Sequence, residues 1–233
     1  MNKIKVFCFG FGQVAKHFVY KLIKENQAIE LNVTSRKKTQ RLTFEGLDFN
    51  SYELNEKKID KNMNTKILDA NFVLVSIPPI NAEDIVIKNF KEIIKNSKTK
   101  WITYLSATSV YGNHDGEWVD EGSETKPTSI NGVKRLQTEK LWLKFSDENN
   151  LPLQIFRLSG IYSDKNNILK RLISGQARIV KKDNHFFSRI HVDDIANILT
   201  KSMTHFQSGE IFNISDDRPA STEEITEYAA GLI

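Results

Sequence analysis

The first residues of this 233-residue chain whose types and spacing could do chemistry are Gly10-Phe11-Gly12-Gln13-Val14-Ala15. They follow the apolar run Lys3–Phe9 and lead into an amphipathic stretch, which is the setting in which a glycine-rich turn can cradle a pyrophosphate. Gly10 permits the tight turn, Gly12 lets a phosphate approach the backbone, and Ala15 lets the helix lie close to the sheet. Gln13 and Val14 open that helix, where unpaired N–H groups and the macrodipole favour an anion. The next apolar run ends in Thr34-Ser35-Arg36-Lys37-Lys38. A carboxylate roughly 20 residues past the glycine loop would accept hydrogen bonds from ribose hydroxyls, and none stands here. Arg36 instead offers a planar fork suited to a 2′-phosphate, and Ser35 a hydroxyl. The expected cofactor is therefore NADP rather than NAD, the competing reading being that Arg36–Lys38 is only a solvated helix start.

These groups need a frame to hold them. Short β-branched or aromatic runs alternate with longer amphipathic stretches, the pattern of repeated βα units and a mainly parallel sheet. Strands are expected at Lys3–Phe9, Glu30–Ser35, Leu47–Tyr52, Phe72–Ile77, Trp101–Leu105 and Leu153–Arg157, with helices at Val14–Glu25, Ala82–Asn96 and Gly132–Glu148. The fold class is thus α/β, a Rossmann-type doubly wound parallel sheet with a small C-terminal α/β lobe. In such a sheet the carboxyl end of a central strand faces the cofactor, which puts Ser76, Ile77 and Pro78 against it, unless they form a stiff proline turn without a ligand. After Arg157 the texture changes: a loop at Ser159–Asn167, a helix near Ile168–Ser174, strands near Ala177–Val180 and Phe186–His191, and a helix from Asp193 capped by Asp193 and Asp194. The chain divides into a dinucleotide-binding domain, 1–158, and a smaller substrate-side lobe, 159–233, interleaved with it. The last residues, ending in Leu232 and Ile233, read as a helix that either docks there or stops before its natural end.

Further motifs extend the pattern: Ser106-Ala107-Thr108-Ser109-Val110-Tyr111-Gly112, Pro127…Asn131-Gly132…Arg135…Glu139, Arg157-Leu158-Ser159-Gly160-Ile161-Tyr162, Arg189-Ile190-His191-Val192-Asp193-Asp194, and Phe212-Asn213-Ile214-Ser215-Asp216-Asp217. Together with the glycine loop they make the chain resemble, over nearly its whole length, the extended and atypical short-chain dehydrogenase/reductases, the NAD(P)-dependent epimerase/dehydratase-like proteins. The resemblance implies a catalytic Ser or Thr, a Tyr, and a Lys one helical turn after that Tyr. Those places hold Ala107, Asn131 and Arg135. Asn131 has no phenol to deprotonate, and Arg135 stays cationic, able to contact a ribose or phosphate but not to exchange protons near neutral pH. The usual proton relay is therefore expected to be absent. Replacement acid/base groups would be Tyr111, Thr108 and Ser106, and the substrate side would carry Asn131, Tyr162 and Arg189, the last holding an anionic group. Tyr111 and Tyr162 also suit packing, His191 a structural role, and Arg189 a surface salt bridge. The family often dimerises through the helix bearing Asn131 and Arg135, so a homodimer is a further expectation.

Composition narrows the remaining classes. With 39% hydrophobic and 10% aromatic residues the chain can bury a core. Its 33 Lys and Arg against 29 Asp and Glu leave only +4, scattered rather than striped with aromatics, so nucleic acid is not an expected partner. One cysteine, Cys8, excludes an internal disulfide, and no run of about 18 apolar residues is present; a cytoplasmic protein without a membrane segment is expected. The histidines lack zinc-type spacing with each other or with Cys8, so no metal is expected. Two functions stay open: an NADP(H)-dependent oxidoreductase, epimerase or dehydratase with a non-standard acid/base, acting on a small, anionic or nucleotide-linked substrate, or a non-catalytic dinucleotide-binding sensor or partner-docking module.

Overall fold

The computed structural model describes residues 3–80, 83–179 and 184–233. Eight strands form one sheet in the spatial order β10 (Ile211–Ile214), β7 (Leu153–Leu158), β6 (Trp101–Ala107), β5 (Phe72–Val75), β1 (Ile4–Phe9), β2 (Ile29–Ser35), β4 (Leu47–Glu53) and β3 (Gln40–Phe44). Every neighbouring pair is parallel except β3 with β4. The chain leaves β1 towards β2 on one side and later returns to β5 on the other, so the strand order reverses at β1, directly above Gly10. That reversal is where open α/β sheets bind ligands, because the flanking loops diverge and leave a crevice.

The central strands are continuous apolar runs because both faces are covered. One face packs against α1 (Gln13–Lys24) and α6 (Val192–Ser202), through Val14, Phe18 and Leu22 with Val192, Ile195 and Leu199. The other packs against α2 (Asn64–Leu68), α3 (Ile85–Lys95) and α4 (Ile130–Asn149), through Ile67, Phe90, Ile94 and Trp142. Cys8 lies at the centre of the first layer, where burial pushes its thiol up to about 12 and keeps it protonated and inert.

Several expectations need correcting. β3 escapes a pattern search because it is short and mostly exposed, with only Leu42 and Phe44 apolar; the hairpin is fixed instead by Glu45 and Gly46, both at positive φ (49° and 78°). The segment after Arg157 is not a lobe apart: β10 joins the main sheet beside β7, and α6 lies on α1. What stands off is the small pair β8 (Gly160–Tyr162) and β9 (Arg189–His191), with α5 (Ile168–Ile173) and α7 (Thr222–Ala230). β8 falls in the expected loop, and only Arg189–His191 of the expected 186–191 strand is extended in a ladder. Ala177–Ile179 form no strand, while Val180 and Ala82 lie outside the described residues. Helix α3 is capped by Asp84, which accepts from the Val86 and Ile87 N–H groups at 2.9 and 2.8 Å. The cap of α6 is the His191 imidazole, which accepts from Asp193 N at 3.3 Å; Asp193 and Asp194 sit in the first turn, where their charge suits the helix dipole.

Candidate functional site

β1 delivers the chain into Gly10 at φ 90°, a conformation side chains rarely adopt. A Cβ there would also lie 2.6 Å from Ile77 Cγ2 and 3.0 Å from Ser76 Oγ, so the turn requires glycine twice over. The Gly10 N–H donates to Thr34 Oγ1 at 2.9 Å. Ser76 Oγ lies 3.0 Å from the Phe9 carbonyl and 3.2 Å from that of Gly10, bracing the turn from β5. Gly12 is the opposite case. It is the N-cap of α1, no side chain caps the helix, and a Cβ on it would meet nothing within 4 Å. The first N–H groups of α1 therefore open onto a cleft of roughly 290 Å³, whose polar lining is Gln13, Ser76, Ser106, Arg135 and Ser159. Val14 and Ala15 are buried and hold the helix onto the sheet.

On the β2 side, Ser35 is half-buried, its Oγ accepting from Lys37 N at 3.3 Å and from Ser51 Oγ at 3.1 Å. Arg36 is exposed; its carbonyl accepts from Asn55 Nδ2 at 3.3 Å, and its guanidinium makes no ion pair among the described residues. Ile77 touches the Gly10 turn, and Pro78 is exposed just beyond it. The fold thus brings Gly10, Gly12, Gln13, Val14 and Ser76 together, with Ser35 and Arg36 at the tip of the neighbouring strand.

On the β6 side, Ala107 and Ser106 line the cleft with Arg135, whose Nη1 donates to the Leu105 carbonyl at 2.7 Å. Ser106 is 3% exposed and its Oγ has no hydrogen-bond partner among the described residues. Asn131 is exposed on the first turn of α4 and does not line the cleft. Thr108 begins a 3₁₀ turn, Thr108–Val110, also off the lining. Tyr111 is drawn away entirely: it is buried, its hydroxyl donates to Asn213 Oδ1 at 2.7 Å and accepts from Arg157 Nη1 at 2.8 Å, and the Arg157 guanidinium lies 4.9 Å from its ring centroid. With its hydroxyl so engaged, Tyr111 is a structural residue in this state.

Arg157 in turn grips Glu139 through Nε at 3.2 Å to both carboxylate oxygens and Nη2 at 2.8 Å, with both side chains buried. This network is the part of the site that residue-by-residue reading missed. Its one local signal was Arg157 itself, a charged residue near the end of the buried strand β7.

The small-lobe candidates also stand off the cleft lining. Tyr162 is exposed, edge-on to His191 at 5.1 Å, and its phenol is raised by partial burial and by Asp216 and Asp194. Arg189 does not form the expected free anion hook. Its Nη1 donates to the Phe187 and Ala220 carbonyls at 2.8 and 3.2 Å, tying the lobe together, and burial lowers its basicity. Among the described residues no His, Cys, Asp and Glu cluster could hold a metal, and no helix is long and apolar enough to cross a membrane.

A doubly wound sheet with a glycine turn at its switch point and an uncapped helix facing a crevice is the arrangement at which open α/β proteins bind ligands. The model of the NAD dependent epimerase/dehydratase family matches residues 10–215, and the chain belongs to that family. Among solved structures, it is similar to a functionally unknown conserved protein from Silicibacter pomeroyi, at 29% identity and TM-score 0.81, covering 97% of this chain and 77% of that one. It shares its fold with UDP-glucuronic acid 4-epimerase from Bacillus cereus in complex with NAD, at 17% identity and TM-score 0.81, covering 98% and 84% of the two chains. The same enzyme with UDP-glucuronic acid and NAD aligns at TM-score 0.80 and 17% identity, covering 98% and 83%. No curated protein matches the chain.

Proposed function

We propose that this chain binds NADP(H), with the pyrophosphate at the Gly10–Gly12 turn and the N-terminus of α1, the adenosine 2′-phosphate at Arg36 and Ser35, and the nicotinamide half towards Ser76, Ser106 and Arg135. The observation that carries the proposal is the contrast between the glycines. Gly10 is demanded by the protein's own contacts, whereas Gly12 has no contact that requires glycine and leaves open space at the mouth of the cleft, where a phosphate could approach the backbone. The Bacillus cereus epimerase, a fold relative, is in complex with NAD; the preference for NADP here rests on the Arg36 guanidinium, without an ion pair among the described residues, and on the lack of a carboxylate in the sequence at the end of β2, the nearby Glu53 being paired with Lys58.

A bound nicotinamide supplies hydride transfer, and this chain's residues would have to supply the proton. With Ala107, Asn131 and Arg135 in the relay positions, the phenol-based route is closed. Turnover would then need Ser106, the one cleft hydroxyl left unpartnered among the described residues, acting on a small anionic or nucleotide-linked substrate. The second reading, a cytoplasmic dinucleotide-binding module without turnover, is favoured by those same three replacements.

Calorimetric titration with NADPH tests the proposal. Gly12→Ala should cost the free protein no more than about 1 kcal/mol, alanine being a poorer N-cap than glycine, while weakening NADPH at least about tenfold, since the new methyl occupies the phosphate approach. Arg36→Ala should weaken NADPH and spare NADH. A wild-type protein that takes up neither nucleotide, or a Gly12→Ala variant that binds as before, overturns it.

A further inference from the structure

Among the described residues Arg135 is the one formally charged side chain in the cleft lining; the other polar liners are neutral. It is half-buried and fixed, its Nη1 held by the Leu105 carbonyl. The groups around it that could offset its charge are all unavailable. Glu139, one turn further along α4, is taken up by Arg157. Asp84 is buried, bonded to two N–H groups of α3 and to Trp142 Nε1 at 3.3 Å, and burial raises its carboxyl. Tyr104 is buried and its phenol is pushed far up by desolvation, against the pull of Arg135. Asn131 stands where a phenol that could ionise would be. The result is a permanent positive charge on the β6 side of the cleft, without a counter-charge among the described residues.

If the pyrophosphate sits at Gly12 and the adenosine at the tip of β2, the other nucleoside must extend towards β6, because the halves of a dinucleotide diverge across the switch point. Its ring is cationic when oxidised and neutral when reduced, while the phosphates and riboses are common to both forms. A fixed cation in a partly dry cleft therefore acts on the difference between the two. We infer that this cleft selects the reduced dinucleotide over the oxidised one, with Arg135 as the selecting charge, an inference that rests on the dinucleotide-binding proposal above. Ser106, with its unpartnered hydroxyl, can bond either form and adds affinity without selectivity. A protein with such a preference changes its occupancy with the cellular ratio of the two forms, which is what a response to redox state requires.

The test is the ratio of dissociation constants for NADPH and NADP⁺, measured by calorimetry on the full chain as wild type, Arg135→Gln and Arg135→Lys. Wild type should bind NADPH about tenfold tighter, the size of a unit-charge repulsion across a partly solvated cleft. Arg135→Lys should keep the preference, and Arg135→Gln should bring the ratio to within about twofold. Should Arg135→Gln not fold, the wild-type ratio is read at low salt and at roughly 0.5 M, where screening should shrink it. Equal affinities in wild type, a preference that survives Arg135→Gln, or one indifferent to salt overturns the inference while leaving the binding proposal standing. Uptake of neither form removes both.

Discussion

Replacing Glu139 by Gln should destabilise the protein by about 3–5 kcal/mol, the range seen when one partner is removed from a buried ion pair and the other charge is left behind. The upper part of that range applies here because Glu139 and Arg157 are only 1% and 5% exposed and the carboxylate receives three guanidinium contacts between 2.8 and 3.2 Å. Gln keeps the volume, so no cavity enters the result. It removes the charge and turns an N–H group towards a guanidinium that has no acceptors of its own. For a chain of this size each kcal/mol moves the melting temperature by roughly 2–4 °C, so calorimetric melting at neutral pH should show a drop of about 6–20 °C. The pair Glu139→Leu with Arg157→Met should recover much of that loss, since well-packed apolar side chains can replace a buried ion pair without penalty. A fall of less than about 2 °C in Glu139→Gln would mean that water or another acceptor reaches Arg157, and the closed network described here would be wrong.

Tyr111→Phe should cost about 1–3 kcal/mol by urea unfolding, because it strands a buried Arg157 donor and the Asn213 acceptor, yet it should leave NADPH affinity within about twofold; a large loss of affinity without loss of stability would return Tyr111 to the cleft. Asp69 lies 2.9 Å from Lys98 and 3.0 Å from Lys5, and these hold its carboxyl down at about 2. A carboxyl depressed in the folded state stabilises above its unfolded value and loses that contribution as pH falls through the folded one. The melting temperature of Asp69→Asn should therefore lie below that of wild type at pH 6 and converge with it between about pH 4 and pH 2; a gap that stays constant to pH 2 would contradict the assignment.

The sheet's centre was legible because buried parallel strands must be apolar on both faces: Phe7-Cys8-Phe9 and Val73-Leu74-Val75 can be little else. The glycine turn was legible because its logic is local, with spacing, backbone freedom and helix start inside a handful of residues. β3 was not, since this mostly exposed five-residue edge strand offers only Leu42 and Phe44 as an apolar alternation, too short to register. β8 and β9 have three residues each, too few for any period to register. The Tyr111–Asn213 bond joins residues 102 apart and leaves no trace in neighbouring sequence, while the Arg157–Glu139 pair joins a strand to a helix and leaves only Arg157 in a buried strand as its signal. Arg189 misled for the same reason. Its residue type suits an anion, but the carbonyls that occupy it come from Phe187 and from Ala220, 31 residues on.

The cleft's polar groups divide by whether the free protein already satisfies them. Ser159 donates to the Ile214 carbonyl at 3.0 Å, Ser76 braces the glycine turn, and Arg135 is held by Leu105. Ser106 is left over, and a buried hydroxyl without a partner costs the fold about 1–3 kcal/mol until something completes it. The N–H groups at the start of α1 are in the same position, open because Gly12 brings no capping side chain. Both debts are recovered by a ligand that spans from α1 to β6, and neither requires a reaction. Chemistry asks for more: a serine hydroxyl becomes an effective nucleophile or proton carrier only beside a base. Among the described residues the cleft lining offers Arg135, which cannot accept a proton, and no His, Asp, Glu or Lys. The proposed dinucleotide site is thus laid out in this chain's own residues, and a Ser106 hydroxyl that moved a proton in turnover would have to exchange it with the substrate or with water.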